Sequence, residues 1–339
     1  MRPHANSAVR TRRAERVTRR PAWTPAIARA CLAGAIGLPL LTAVQACSSP
    51  PAAGPVAQPT VAATSARPVP STTATSPRPS ATATRASATP SASAAARQDP
   101  FSPGASSYVD DRSGTVTAAV YDVTTGQTWT FGSSRPQAEA SVVKLNILEA
   151  LYARDDGGLS ANDASLAEQM MEDSDNDAAT TLWYAAGGPS RIASFNTSAG
   201  LTRTAPSSCV QCPDFPWPGW GLTTTTPTDQ LALLRELIKP STLLTGAQRT
   251  AALELMENVT PSQRWGVSGG VPAQATVALK DGWLPLNSTN TNWQVNSVGW
   301  ISGSGRDYLM AVLTTGNPTE QYGIDTISQL STLVWQHLG

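Results

Sequence analysis

The chain has 339 residues, with 24 Lys+Arg against 24 Asp+Glu and two histidines. This neutrality sums unlike parts: eight arginines and one acid, Glu15, fall in the first 30 residues, and the remainder carries 16 basic against 23 acidic residues, a net of about −7. With no basic surface left outside that leader, nucleic acid is excluded as an expected partner.

The arginine-rich start is followed by "CLAGAIGLPLLTAVQAC", a short, nearly uncharged run ending at Cys47. A basic n-region, a short apolar core and small residues before the break predict a secretory signal over 1–46 rather than a spanning helix. Val44-Gln45-Ala46-Cys47 resembles a bacterial lipobox, which implies that Cys47 becomes the lipidated first residue of the mature protein on the outer face of the cell membrane; simple cleavage and secretion is the alternative. Residues 47–106 are dominated by Pro, Ala, Ser and Thr, with five charged residues between 51 and 100. Such a segment buries too little apolar surface to offset its ordering entropy, so a disordered tether is expected.

The remaining residues, 107–339, suffice for one well-cored domain. Two strands open it, 115–123 and 127–132, around the hairpin signal Thr124-Thr125-Gly126. Apolar spacing then predicts helices over 141–153, 163–172, 176–186, 227–239 and 246–257. Thr226 as N-cap, Pro227 and Asp229 mark the start of the fourth. Strands return at 275–280, 293–301 and 307–315, before a last helix over 319–337. The layout is α+β: an antiparallel sheet of about five strands assembled from both ends of the chain, flanked by the terminal helix, with an all-helical lobe inserted between.

Cys209 and Cys212 lie in "SSCVQCPDFPWPGWG". In an exported chain a C-x-x-C is more often a small disulfide than a redox centre or metal site, and zinc would need ligands that a folded region with only His337 does not supply. No metal or cofactor is expected. His337, near the end of the last helix, reads as a residue interacting with the helix dipole rather than as a catalytic base.

Lysine is more informative, because the chain has only three, Lys144, Lys239 and Lys280, and arginine cannot be deprotonated to serve as a base. Lys239 ends a helix before Pro240, where a cation suits the dipole. Lys144 lies three residues after Ser141 in "EASVVKLN", on one helical face. Taken alone, this pair suits an ordinary helix surface. Downstream come Ser174-Asp175-Asn176, between two helical patterns where either of the first two could be a cap, and Lys280-Asp281-Gly282 at the end of a strand, where a lysine could be an edge charge.

Ser-x-x-Lys, Ser-Asp-Asn and Lys-x-Gly, in that order on helix, loop and strand, resemble the signature of the active-site serine β-lactamases and penicillin-binding proteins, especially the class A branch. The resemblance covers the folded domain only. It implies a Ser141 nucleophile, a Lys144 base, proton relay through Ser174, Lys280 holding Ser174 and the substrate, and Asn176 binding a substrate amide. Ser141, at a helix N-terminus, would use its own N–H to stabilise the oxyanion, and the resemblance assigns the second donor to the N–H of Trp283, after Gly282. The expected substrate is a β-lactam or a peptidoglycan-type amide, and the expected state is a monomer.

Two departures stand out. The glutamate that activates the deacylating water in class A enzymes has no counterpart between Asp177 and Pro227 except Asp214. Asp281 replaces the usual hydroxyl residue, and an ionised Asp281 facing the site would repel a substrate carboxylate; it must point away or be protonated if such a substrate is used. Trp217, Trp220 and Trp283 suggest either a groove or buried packing. The rival functions are a module that binds penicillin or wall fragments without turnover, and a surface lipoprotein with no ligand.

Overall fold

The computed structural model describes residues 97–102, 104–154, 158–213 and 218–338. The predicted signal, Cys47, most of the tether, Asp214 and Trp217 lie outside the described residues. Among those described, no helix is long and apolar enough to cross a membrane.

In chain order the elements are α1 (Ala105–Asp110), β1 (Thr115–Asp122), β2 (Thr128–Phe131), β3 (Gln137–Ala138), α2 (Val143–Arg154), α3 (Ala161–Glu172), α4 (Asn176–Ala185), α5 (Gly188–Ser198), β4 (Thr224–Thr225), α6 (Pro227–Ile238), α7 (Gly246–Glu257), β5 (Thr276–Pro285), β6 (Trp293–Gly303), β7 (Arg306–Asn317) and α8 (Glu320–His337). Five strands form one antiparallel sheet in the order β2-β1-β7-β6-β5, so the first two strands of the described domain and its last three meet in a single sheet. The fold is α+β, as the element order predicts.

Period-two alternation divides the sheet residues between two cores. Ala278, Val298, Leu309 and Ala311 face the helical lobe, while Val277, Leu279, Val295, Met310 and Val312 join Ile327, Leu330 and Val334 of α8. On β5 the same alternation directs Lys280 and Gly282 to the lobe side and Asp281 and Trp283 to the α8 side. Within the lobe, α2 is buried from Val143 to Tyr152, including Lys144, Asn146 and Glu149. A helix buried all round is the lobe's central post rather than an amphipathic surface helix.

Three features depart from the sequence reading. Packing begins before residue 107: Phe101 and Ala105 are buried, and Arg97 pairs with the buried Asp122 at 3.2 Å. One phenylalanine in a Pro/Ala-rich setting gives no periodic signal. The helix α5 was not predicted, because its buried stripe rests on only two large apolar residues, Ile192 and Phe195. The strand predicted to end at Lys280 runs on to Pro285, which carries Gly282 and Trp283 along the sheet edge.

Glu149 is fully buried, and neither of its carboxyl oxygens has a hydrogen-bond partner among the described residues. Burial, with a smaller contribution from Glu236, pushes its pKa well above the usual carboxylate range. A carboxyl with a raised folded pKa favours folding most below its unfolded pKa, and that contribution is lost as pH rises toward the folded value. Thermal or urea unfolding of the wild type should therefore show stability falling as pH rises above the glutamate range, by up to roughly 1.4 kcal/mol per pH unit for each such group. Glu149→Gln should flatten this dependence; an unchanged pH profile would contradict the protonated assignment.

Candidate active site

Ser141 stands in a 3-10 turn, Ala140–Val142, that leads directly into α2. The residue before it, Ala140, has φ 51°, a left-handed conformation that costs a residue with a Cβ and persists only where the surroundings hold it. Ser174, in the loop between α3 and α4, is in the same region at φ 57°. Asp175 next to it accepts from the Ala178 N–H at 2.7 Å and caps α4, so the capping role falls to Asp175, while the Ser174 side chain faces the two lysines.

Lys144 is completely buried, which rules out the helix-surface reading. Its Nζ donates to Ser174 O at 2.6 Å and to Asn176 Oδ1 at 2.7 Å, and lies 2.9 Å from Ser174 Oγ and 3.1 Å from Ser141 Oγ. The two shortest contacts are with oxygens that can only accept, so they claim two N–H bonds. The two longer ones are with hydroxyls, which can donate as well as accept. A neutral amine fits this set, keeping two N–H bonds on the obligate acceptors and leaving its one lone pair free to accept from one of the two hydroxyls. Desolvation, then the nearby Lys280 charge, lowers the Lys144 pKa well below the usual lysine value, with Asp175 opposing.

Lys280 approaches from β5. Its Nζ donates to Ser174 Oγ at 3.1 Å and to Asp281 O at 2.9 Å. Burial lowers its pKa to about 8, although the Asp281 charge acts in the opposite sense. Ser174 Oγ thus lies between two lysine nitrogens, and Lys144 joins it to Ser141. The three motifs meet within hydrogen-bonding distance.

Gly282 has a steric reason to be glycine. A Cβ there would come 2.6 Å from the Ser141 nitrogen and 2.7 Å from the Val142 nitrogen. The bare backbone of β5 lies directly under the serine turn, and Trp283 borders the same cavity as Ser141 and Asn176.

The Asp281 side chain points away from the cavity, the first of the two conditions that the sequence sets for an anionic substrate. Its Oδ2 accepts from the Trp265 N–H at 3.1 Å on the α8 side of the sheet, and burial raises its pKa to about 8. Strand alternation turns the side chain away from Lys280, so no carboxylate from residue 281 faces the pocket. The tryptophans separate similarly. The Trp283 ring packs against Trp265 at 5.9 Å between centroids, whereas Trp220 is buried with Lys144 Nζ 5.2 Å from its ring centre and its own Nε1 donating to Thr180 Oγ1 at 3.1 Å. Of the two uses the sequence left open for Trp217, Trp220 and Trp283, Trp220 combines both, being buried and bordering the cavity, while nothing in the sequence marked Thr180.

Cys209 and Cys212 are disulfide-bonded. Gly219 packs so closely on this bridge that a Cβ would meet Cys212 Sγ at 2.5 Å, and its N–H donates to Cys209 O at 2.7 Å. The bridge therefore backs the segment that carries Pro218, Trp220 and Gly221 to the cavity. His337 is exposed in the last turn of α8, and Lys239 ends α6 with its Nζ over the Tyr121 ring at 4.6 Å; neither hydrogen-bonds a motif residue among the described residues. Among the described residues no group of three or more His, Cys, Asp or Glu is arranged to hold a metal.

The profile of the beta-lactamase enzyme family matches residues 160–338, a span that contains Ser174, Asn176 and Lys280 and begins after Ser141. LppW of Mycobacterium tuberculosis and of Mycobacterium bovis, a protein named as a proposed lipoprotein, is 30% identical over 207 residues, covering 58% of this chain and 62% of the relative. The chain thus spans about three fifths of the length of the curated relatives it matches. Among solved structures, the class A beta-lactamase from Mycobacterium abscessus aligns at TM-score 0.58 with 24% identity, over 69% of this chain and 97% of the other. TLA-1 extended spectrum beta-lactamase aligns at TM-score 0.60 with 17% identity, over 69% and 96%. A beta-lactamase from Xanthomonas campestris aligns at 0.59 with 20% identity, also over 69% and 96%. At these identities the structural likeness establishes the fold, and the profile, which covers more than half of the 339 residues, establishes the relationship: this chain belongs to the beta-lactamase enzyme family.

Proposed function

We propose that this protein is an extracytoplasmic serine hydrolase that forms a covalent acyl-enzyme on Ser141 with β-lactams or peptidoglycan-type amides. The supporting observation is the chain of contacts from Ser141 Oγ through Lys144 Nζ and Ser174 Oγ to Lys280 Nζ, every step at 3.1 Å or less. Neutral Lys144 takes the Ser141 hydroxyl proton as Oγ bonds the acyl carbon. The carbonyl oxygen becomes an oxyanion facing the N–H groups of Ser141 and Trp283. As the C–N bond breaks, Ser174 gives its proton to the leaving nitrogen and is resupplied by the Lys144 ammonium 2.9 Å away, which returns Lys144 to the neutral form. Lys280, still charged, holds Ser174 and the substrate.

Location follows from the secretory signal, the lipobox-like Cys47 and the naming of LppW as a proposed lipoprotein. The natural partner is then a small β-lactam or a wall fragment, reached from a lipid-anchored, monomeric protein. A second reading, a penicillin- or wall-fragment-binding lipoprotein that keeps its acyl group, is favoured by one observation: none of the described residues bordering the cavity bears a carboxylate. Asp214 is then the candidate for activating the deacylating water.

Intact mass after incubation with a fluorescent penicillin should show one covalent adduct, absent from Ser141→Ala. Lys144→Arg should slow acylation by roughly 10²–10⁴-fold, because arginine cannot release its proton. No adduct on the wild type with either fluorescent penicillin or nitrocefin would reject the acylation reading. The acylation rate should fall on the alkaline side near pH 8 as Lys280 loses its proton. Asp281→Asn removes the group whose ionised form raises the Lys280 pKa, so this alkaline limb should not move to higher pH; a shift upward would contradict the assignment. If Asp214 is the deacylation base, Asp214→Asn should prolong the adduct without slowing its formation, and equal lifetimes would dismiss it.

A further inference from the structure

Beneath the turn that carries Ser141 lies a buried carboxamide that no motif accounts for. Asn296 is on β6, directly across from Gly282 of β5, with no exposed surface. Its Nδ2 donates to two consecutive carbonyls, Ala138 O and Glu139 O, both at 2.8 Å. Its Oδ1 accepts from Gln294 Nε2 at 2.8 Å and from the Thr314 N–H at 3.2 Å. The Thr314 N–H can only donate, so it fixes which end of the amide is oxygen. Gln294 donates on to Gln137 Oε1 at 3.3 Å, and Gln137 Nε2 donates to Thr117 Oγ1 at 2.8 Å. This seam crosses the sheet from β1 to the entrance of the serine turn.

A network of this kind is costly inside an apolar layer unless every member is satisfied, and when satisfied it fixes one geometry. Here it ends on the two carbonyls immediately before Ala140, the residue held at φ 51°. Gly282 closes the turn from below with backbone, and Asn296 anchors the incoming strand beside it. We infer that Asn296 is a positioning residue: its two hydrogen bonds hold the 138–140 backbone in the conformation that aims Ser141 Oγ and the Ser141 N–H into the cavity. The consequence for chemistry rests on the acylation of Ser141 proposed above. The consequence for backbone order does not.

Asn296→Asp keeps the shape but sets one carboxylate oxygen, in the place of Nδ2, against two carbonyl oxygens. In the full chain with a fluorescent penicillin, the acylation rate constant should fall by roughly 10²-fold, as expected for a misplaced reacting group, while noncovalent affinity for the probe changes little. Hydrogen exchange read in parallel should show that the Val142 N–H, which bonds Glu139 O at 3.3 Å in the wild type, loses protection. Val312→Ala, a truncation in the other core, should lower overall stability and change neither readout. If Asn296→Asp does not fold, Gln294→Leu, which frees the amide without removing it, should give a smaller loss in both. The inference is overturned if a folded Asn296→Asp, or Gln294→Leu in its place, keeps wild-type acylation and exchange, or if Val312→Ala reproduces the losses. If the wild type takes no probe, the acylation reading fails by itself and the exchange comparison still decides the role of Asn296.

Discussion

A lysine buried with no carboxylate within hydrogen-bonding distance among the described residues is the constraint around which the rest of this structure is arranged. Burying an unpaired ammonium costs more than a domain of ordinary stability can sustain, and the usual outcome is loss of the proton. Lys144 is given two obligate acceptors, two hydroxyls, a second lysine near enough to oppose its charge, and the face of an indole. Cation–π attraction to Trp220 favours the charged form, and desolvation by that same ring favours the neutral one; with the ring centre 5.2 Å away and Lys280 nearby, burial outweighs it. The surrounding elements serve this environment. The post-like burial of α2, the left-handed Ser174 and the extended edge strand each deliver one group to it.

The same economy explains why the site uses both sides of a strand differently. Lys280 and Asp281 are neighbours in sequence and opposites in space. One faces the serines, and the other is sequestered beside Trp265 with its pKa raised to about 8. The sequence concern that residue 281 would repel an anionic substrate is resolved by the two-residue period of the strand. That resolution was available from "TVALKDG" once the strand was allowed to continue beyond Lys280.

Much of the architecture was legible because periodicity carries it: the five-strand sheet, α2, α6 with its Thr-Pro start, and α8 all follow from apolar spacing and caps. The motif triplets were legible because few lysines compete with them. What escaped has a physical cause in each case. Phe101 and α5 pack with too few large side chains to produce a repeat. Trp220 contacts Lys144 through a loop whose path no local rule dictates. Asn296 acts through backbone carbonyls far away in sequence, and a single asparagine in a strand has no signature. Gly282 sits in a motif, but its lack of a side chain matters only once the serine turn is seen resting on it.

The bridge between Cys209 and Cys212 encloses only a few residues, so it constrains little of the unfolded chain. Its effect is local and mechanical: Gly219 sits against it without room for a methyl group, and the next residue is the tryptophan that covers Lys144. Disulfides of this kind form and persist in oxidising compartments. The wall of the pocket is thereby tied to the redox state of its surroundings, so that the seat of Gly219, and with it the path of the chain to Trp220, depends on whether the two sulfurs are joined.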